Sequence, residues 1–352
     1  MSYVYVSNAE DGVISTYVMR PDTGELQPGL RTEAGPAVMP MTVSADHRFL
    51  FAALRGKPHT VITFAIDFRT GALQRVSTAP LPESMPYIAL DKTARFLFGA
   101  SYAGNLVSVS AVGTDGRVSA TPLQVIPIGR SAHSVAVDAS NRYVFVPTLG
   151  SDAVFQFTFD ENTGRLASNT PAVVLVKPLT GPRHVIASRD NKFFYVLNEM
   201  LGTVTSFGLD SKTGLLTELD SASGVPAEAK LVPGAVRGAQ PPRNTDNDIW
   251  AADVHMTPDD RFMYMSERTG STLALFNVNA ATGKLTYVAS TPTEQQPRGF
   301  AIHPNGKFLV ATGEKSETIS VYAIDPATGA LRMLQKYPTG KGANWVEIVG
   351  VD

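Results

Sequence analysis

A short turn motif recurs seven times along the chain, first as Thr23-Gly24-Glu25-Leu26 and last as Thr328-Gly329-Ala330-Leu331. The glycines of the five copies between them are Gly71, Gly116, Gly164, Gly214 and Gly283. Successive glycines are separated by 47, 45, 48, 50, 69 and 46 residues. A period near this length, with strand-like sequence between the turns, predicts the blades of a β-propeller.

A second element repeats with the same period: a basic residue followed by an aromatic-rich strand. The copies begin at Arg48-Phe49, Arg95-Phe96, Arg142-Tyr143, Lys192-Phe193, Arg261-Phe262 and Lys307-Phe308, and Tyr3-Val4-Tyr5 is the seventh. One apolar strand precedes each copy, a third strand follows it, and the glycine turn leads to a fourth. The sequence therefore predicts an all-β, seven-bladed propeller with four antiparallel strands per blade, built as one domain over residues 1–352.

The two ends of the chain complement each other. Tyr3 begins the seventh aromatic strand without the apolar strand that precedes the others, and Trp345-Val346-Glu347-Ile348-Val349 has no aromatic strand after it. We expect the second segment to complete the first blade and close the ring, which removes two exposed sheet edges. An open β-solenoid is the alternative, but it would not need this split.

Composition argues against nucleic-acid binding, cysteine chemistry and a membrane partner. The net charge of −2 provides no basic surface for nucleic acid, and the absence of cysteine excludes disulfides and thiolate chemistry. No apolar run approaches the roughly 18 residues of a membrane span, and the N-terminal residues lack the pattern of a signal peptide. We expect a cytoplasmic protein with no membrane partner. Because a closed ring needs no partner for stability, we expect a monomer.

One rim of the ring is predicted to collect charge. Since strands alternate in direction, the first strand of each blade begins on the face where the second strand ends. The equivalent starting positions are Met39, Pro86, His133, Arg183, Ala252, Arg298 and Asn344, and His184 and Asp253 follow two of them. The equivalent ending positions are Arg55, Tyr102, Leu149, Glu199, Arg268, Glu314 and Ala9. Such a cluster predicts a site for a small anion, although salt bridges between blades are an alternative.

Other motifs are weak. His47 and His303 fall in turns of the opposite rim and are interpreted as solvated turn residues. Asp253 and His255 point the same way along one strand, a weak metal spacing, and we expect no metal. No Gly-x-Ser-x-Gly motif and no phosphate-binding glycine loop before a helix is present, and no cofactor is expected.

The 69-residue interval contains a proline-rich insert at 225–249. It joins a fourth strand to the next first strand, on the same face as the charged positions, and we expect it to border or cover the pocket. Arg243, Asp246 and Asp248 within it are candidate substrate contacts, although solvated loop positions are the alternative.

Four strings resemble those of the seven-bladed propeller lactonases, a group with bacterial 6-phosphogluconolactonases and fungal 3-carboxymuconate lactonising enzymes. They are Gly181-Pro182-Arg183-His184, Val196-Leu197-Asn198-Glu199, Trp250-Ala251-Ala252-Asp253-Val254-His255 and Gln296-Pro297-Arg298-Gly299-Phe300. The similarity spans the whole chain and is strongest to the bacterial phosphogluconolactonases. The proline-rich insert departs from the family pattern.

The resemblance implies an enzyme that hydrolyses a small anionic lactone, with catalytic roles for His133, Arg183, Glu199 and Arg268. His133 or Glu199 would activate water, Arg183 would stabilise the oxyanion, and Arg268 or Arg298 would hold a phosphate. The remaining expected substrate-binding residues are His184, Asp253, His255, Arg298 and Glu314. The alternatives are a 3-carboxymuconate-type cycloisomerase, a lactonase for another acid and a non-catalytic propeller that binds a protein.

Overall fold

The computed structural model describes residues 1–237 and 244–350. Seven four-stranded antiparallel sheets form the blades, as predicted. The innermost strands are β4 (Val38–Val43), β8 (Tyr87–Leu90), β12 (Ala136–Val137), β16 (Pro182–Ala187), β20 (Ala251–Met256), β24 (Phe300–Ile302) and β28 (Ala343–Gly350). The second strands are β1 (Ser2–Asn8), β5 (Phe49–Leu54), β9 (Phe96–Ser101), β13 (Tyr143–Thr148), β17 (Phe193–Asn198), β21 (Phe262–Glu267) and β25 (Phe308–Ala311).

The outer half of each blade is more exposed to solvent. The third strands are β2 (Val13–Met19), β6 (Thr60–Ile66), β10 (Leu106–Ala111), β14 (Ala153–Asp160), β18 (Thr203–Asp210), β22 (Thr272–Val278) and β26 (Thr318–Ile324). The outermost strands are β3 (Leu26–Glu33), β7 (Leu73–Pro80), β11 (Gln124–Pro127), β15 (Arg165–Leu175), β19 (Leu215–Ser223), β23 (Leu285–Pro292) and β27 (Leu331–Pro338). The described residues add two 3₁₀ turns, Leu149–Ser151 and Ala227–Ala229, and contain no helix long and apolar enough to cross a membrane.

Strand β28 closes the ring by pairing with β1. The register is antiparallel and pairs Tyr5 with Glu347 and Ser7 with Trp345. The first blade therefore has the strand order β28-β1-β2-β3, which confirms the predicted complementarity of the two ends.

The hydrophobic core lies between the blades rather than within one of them. Among the described residues, buried apolar side chains form seven clusters, and each cluster joins two neighbouring blades. Tyr3 and Tyr5 of the first blade, for example, pack with Leu50 and Ile62 of the second. Each blade is thus stabilised by burial against its two neighbours, as expected for a repeat that cannot bury its faces alone.

The two repeated sequence elements meet at every one of these junctions. Gly214 has φ +71°, and a Cβ added there would overlap the ring of Tyr143 in the preceding blade. Glycine is therefore required twice, by the left-handed backbone and by the close approach of the ring. The equivalent pairs are Gly24–Phe308, Gly71–Tyr3, Gly116–Phe49, Gly164–Phe96, Gly283–Phe193 and Gly329–Phe262.

Candidate active site

Irregular starts of the inner strands shape one mouth of the central channel. Strands β4, β16, β20 and β28 each carry one more residue than their partner strand near their first residues. Strict alternation would point Arg183 and His184 to opposite faces of the sheet, but Arg183 is the extra residue of β16. This bulge lets both side chains enter the same hydrogen-bonded network, a common use of bulges beside active sites.

Glu199 holds two arginines at this mouth. Its Oε2 accepts hydrogen bonds from Arg183 Nε at 2.8 Å and from Arg268 Nη2 at 2.9 Å, and all three residues are buried. Burial and the neighbouring arginines lower the pKa of Arg183, and burial is also the main cause that lowers the pKa of Arg268 to about 10. Two charge-assisted hydrogen bonds to one oxygen keep Glu199 in place as the counter-ion of both guanidinium groups.

Arg268 has further partners. Its Nε donates to the Trp250 carbonyl at 3.0 Å, and its Nη2 also donates to the Ala251 carbonyl at 3.1 Å. Its guanidinium carbon lies 3.7 Å from the centroid of the Trp250 ring, whereas that of Arg237 lies 4.3 Å from the same centroid. Arg268 is therefore fixed by its surroundings.

His184 and His255 share the carboxylate of Asp253. His184 Nδ1 lies 2.9 Å from Asp253 Oδ1, and His255 Nε2 lies 3.0 Å from Asp253 Oδ2. His184 Nε2 is 2.9 Å from Arg183 Nη1, which joins this group to the Arg183–Glu199 pair. Arg183 Nη1 also donates to the Ala252 carbonyl. The side chains of Asp253 and His255 point the same way from β20, as predicted.

His255 faces a different part of the channel from Arg183, Glu199 and Arg268. It lines a cavity of about 260 Å³ together with Tyr87, Asp253, Trp345 and Glu347. Burial would lower the pKa of His255, but the charge of Asp253 and its hydrogen bond raise it. Burial raises the pKa of Glu347 to about 7, although Trp345 Nε1 donates to it at 2.8 Å.

His133 is buried at the mouth, and its Nδ1 has no hydrogen-bond partner among the described residues. Its ring lies 5.3 Å from that of His184 and 5.9 Å from that of Tyr102, measured between centroids. Burial and the charge of Arg183 hold the pKa of His133 well below its usual value. The imidazole is therefore neutral near pH 7, and one of its two ring nitrogens carries no proton.

Arg298 and Glu314 form a second ionic group at the same mouth. Arg298 Nη1 lies 3.5 Å from Glu314 Oε1, and Gln296 Nε2 donates to Glu314 Oε2 at 2.8 Å. Burial would raise the pKa of Glu314, but Arg298 and Arg268 lower it. Burial, and then the charge of Arg298, lower the pKa of Arg55 to about 10.

A cavity of about 910 Å³ lies next to His133 and Glu199. Its lining includes Tyr102, Leu149, Met200 and the insert residues 233–237. Gly234 N donates to the Met200 carbonyl at 2.8 Å, so this part of the insert packs against the residue that follows Glu199. Arg243 lies outside the described residues. Asp246 is exposed and Asp248 is buried.

The predicted residues thus fall into a hydrogen-bonded network, an adjacent ion pair and His133. The network joins Arg183, His184, Glu199, Asp253, His255 and Arg268. His133 lies beside it, and its Nδ1 has no partner among the described residues. Arg298 and Glu314 form the adjacent ion pair, and His255 is at the far end of the network, facing the smaller cavity. Among residues 1–237 and 244–350, no three His, Asp or Glu side chains are grouped as metal ligands.

The two tryptophans, Arg237 and Tyr87 are site residues that the sequence did not reveal. Trp250 supports Arg268, and Trp345 lies edge-on to Tyr87, whose ring in turn meets that of His184 at 5.0 Å. The signal that could have found them is position, because both tryptophans of the chain occur at the start of an inner strand.

The chain is similar to known proteins in sequence and in fold. The family model described as "Lactonase, 7-bladed beta-propeller" matches residues 3–348. The 6-phosphogluconolactonase of Serratia proteamaculans (strain 568) is 37% identical over 346 residues, 98% of each chain. That of Pectobacterium carotovorum subsp. carotovorum (strain PC1) is 34% identical over 349 residues, 99% of each chain.

Among solved structures, the periplasmic gluconolactonase of Pseudomonas aeruginosa matches with a TM-score of 0.86 and 27% identity, and the match covers 100% of both chains. The resemblance inferred from the four sequence strings is therefore confirmed over nearly the full length. The chain belongs to the seven-bladed β-propeller lactonase family and is an enzyme of the carboxylic-ester hydrolase class, which opens cyclic esters with water.

Proposed function

We propose that this lactonase hydrolyses 6-phospho-D-glucono-1,5-lactone to 6-phosphogluconate, a step of the oxidative pentose phosphate route. The observation that carries the proposal is a buried His133 beside a group of arginines, with no hydrogen-bond partner for its Nδ1 among the described residues. A base next to cationic groups suits attack of water on an anionic ester. The names of the relatives that are 37% and 34% identical support the choice of substrate.

We assign the base to His133 rather than to Glu199. Glu199 Oε2 accepts hydrogen bonds from two arginines, whose counter-ion the carboxylate is, whereas His133 is an imidazole whose Nδ1 has no hydrogen-bond partner among the described residues. In the proposed reaction, His133 takes a proton from water as the water oxygen bonds to the lactone carbonyl carbon. The bond from that carbon to the ring oxygen then breaks, and the imidazolium returns the proton to the ring oxygen. Deprotonation of the product acid leaves the carboxylate.

Arg183 stabilises the negative charge that develops on the carbonyl oxygen. Its hydrogen bonds to Glu199, His184 and the Ala252 carbonyl use Nε and Nη1, and Nη2 has no partner among the described residues. A donor fixed before the reaction begins acts on the developing charge without reorganisation. Arg183 is buried at 1% exposure, so its charge acts where water screens it little.

The phosphate is assigned to Arg298 with Arg55. Arg268 is already fixed by Glu199, two carbonyls and the Trp250 ring. Among the described residues, Arg298 has one long ion pair, of 3.5 Å. Burial lowers the pKa of Arg55 most, and repulsion from the charge of Arg298 lowers it further. A phosphate dianion between them would relieve this repulsion and accept forked hydrogen bonds.

The proposal is tested by following 6-phosphogluconate formation from the phosphorylated lactone with a coupled dehydrogenase, after subtraction of spontaneous hydrolysis. We expect saturable turnover above the spontaneous rate, and its absence would contradict the proposal. A second candidate is the unphosphorylated glucono-1,5-lactone, which the match to the periplasmic gluconolactonase favours. A higher kcat/KM for the unphosphorylated lactone would select that candidate.

A further inference from the structure

Asp253 lies behind the proposed catalytic residues and receives four hydrogen bonds. Oδ1 is 2.9 Å from His184 Nδ1 and accepts from Val254 N at 3.0 Å. Oδ2 is 3.0 Å from His255 Nε2 and accepts from Phe300 N at 3.2 Å. Burial would raise the pKa of Asp253, but the charge of His255 and the hydrogen bonds from both histidines hold it below its usual range. The carboxylate is therefore an anion, and each of its oxygens accepts two hydrogen bonds.

An accepting carboxylate fixes the tautomer of His184. Since Asp253 Oδ1 can only accept, the proton of the ring must be on Nδ1, and Nε2 is left as an acceptor. Burial and the charge of Arg183 lower the pKa of His184 to about 3, so the ring is neutral. Nε2 can then accept from Arg183 Nη1, which lies 2.9 Å away.

The orientation of Arg183 follows from that tautomer. With the proton on Nε2 instead, His184 would direct an N–H at the N–H of Arg183, and the guanidinium would turn away. We propose that Asp253 is a positioning residue of the hydrolytic site, which acts through the Nδ1–H tautomer of His184 to hold Arg183 beside His133. This inference rests on the proposed function and gives Asp253 a role other than the substrate contact expected from the sequence.

Two substitutions at Asp253 separate the effect of its hydrogen bond to His184 from the effect of the space that its side chain fills. In Asp253→Asn, the amide oxygen can keep the place of Oδ1 and accept from His184. The amide nitrogen then takes the place of Oδ2, where it can donate to a neutral His255 but no longer accepts from Phe300 N. In Asp253→Leu, a side chain of similar size accepts no hydrogen bond. Glu347→Leu is the matched control, because it replaces another carboxylate that lines the same 260 Å³ cavity and is not bonded to His184.

For Asp253→Leu we expect kcat to fall about 10- to 100-fold, the usual loss when the support of an active residue is removed, with a smaller change in KM. Asp253→Asn should recover most of this loss, and Glu347→Leu should remain within about twofold of the wild type in kcat. Normal kcat in folded Asp253→Leu, or equal loss in the Asn and Leu variants, would overturn the proposal.

The tautomer itself is measured without substrate. Nitrogen-15 spectra of the labelled wild type should show a neutral His184 with its proton on Nδ1 at pH 7, assigned by its loss in His184→Gln. A proton on Nε2, or an imidazolium, would overturn the proposal even if Asp253→Leu did not fold. If the wild type hydrolysed neither lactone, the proposed function would fail, and this spectrum would still decide whether Asp253 sets the tautomer of His184.

Discussion

The two rims of the ring differ in how strictly they repeat. At the rim of the first-to-second-strand turns, the same hydrogen bond recurs, with a backbone N–H two residues further on donating to Oδ1 of Asp46, Asp190, Asp259 and Asn305. At the other rim, the equivalent positions hold different residues in almost every blade, and two of them are His133 and Arg183. Repetition thus marks positions that several blades use in the same way for their turns, and departure from repetition marks positions available for chemistry.

Size alone does not distinguish the rims. The turn rim also has a cleft of about 510 Å³, lined by residues such as Asp259, Asn305 and Lys307 that serve the repeated turns. What distinguishes the mouth with His133 is the convergence of buried ionisable side chains from several blades, which is costly unless they are paired or functional. Substitutions at the mouth with His133 should therefore change activity. Substitutions at the repeated turn positions should change stability.

The largest effect is expected at His133. Replacing it with alanine removes the proposed base and should lower kcat by about 10²- to 10⁴-fold. His47→Ala, at the turn rim, is the matched control and should keep wild-type kcat. Steady-state kinetics with the phosphorylated lactone measure both, and urea unfolding shows whether each variant is folded. Near wild-type turnover of His133→Ala would remove the distinction between the rims.

Stability should respond most at a repeated position. Gly214→Ala forces a side chain into positive φ and against the Tyr143 ring, and we expect a loss of about 2–4 kcal/mol in the free energy of unfolding. Gly208→Ala, in the same blade, is the control, since its nearest new contact would be Leu219 at 3.7 Å. Chemical denaturation measures both. Equal stabilities of the two variants would contradict the role assigned to the turn glycines.

Arg298→Gln tests whether this arginine, at the mouth with His133, binds the phosphate. Loss of charge-assisted hydrogen bonds to phosphate should raise KM for the phosphorylated lactone about 10- to 100-fold, with little change in kcat. KM for glucono-1,5-lactone should stay unchanged, because that substrate has no phosphate. An equal rise for both lactones would show that Arg298 does not bind the phosphate.

The last prediction is that kcat/KM shows no inflection near pH 6.5. In the proposed mechanism the base is the neutral form of His133, which predominates above a pKa that burial and the charge of Arg183 hold well below the usual 6.5. Lowering the pH from 8 through 6.5 should therefore leave kcat/KM unchanged after correction for spontaneous hydrolysis. A fall in kcat/KM centred near pH 6.5 would show that the base titrates as an ordinary histidine.

Repetition also explains what the sequence could predict. Gly24 and Tyr3 belong to motifs copied seven times, and their spacing was sufficient for the blade count and the ring closure. The rim that would hold Arg183 and Glu199 followed from strand direction. The partners within that rim did not, because the bulge at Arg183 breaks the alternation on which side-chain direction is predicted.

The role of Trp250 escaped prediction for a related reason. Its contact with Arg268 depends on the path of the chain from the insert into β20, which no repeat records. The common direction predicted for Asp253 and His255 along their strand is correct, since both side chains meet through a hydrogen bond. Depth along the channel, which separates His255 from Arg183, is not encoded in that direction.

The pairing of β1 with β28 also affects biosynthesis. A ribosome completes β28 hundreds of residues after β1, and during that interval the inner edge of β1 has no partner. An unpaired edge invites pairing with other chains, so the nascent protein is most vulnerable to aggregation until its final strand emerges. A premature stop codon that removed β28 would leave six blades complete and make this vulnerability permanent.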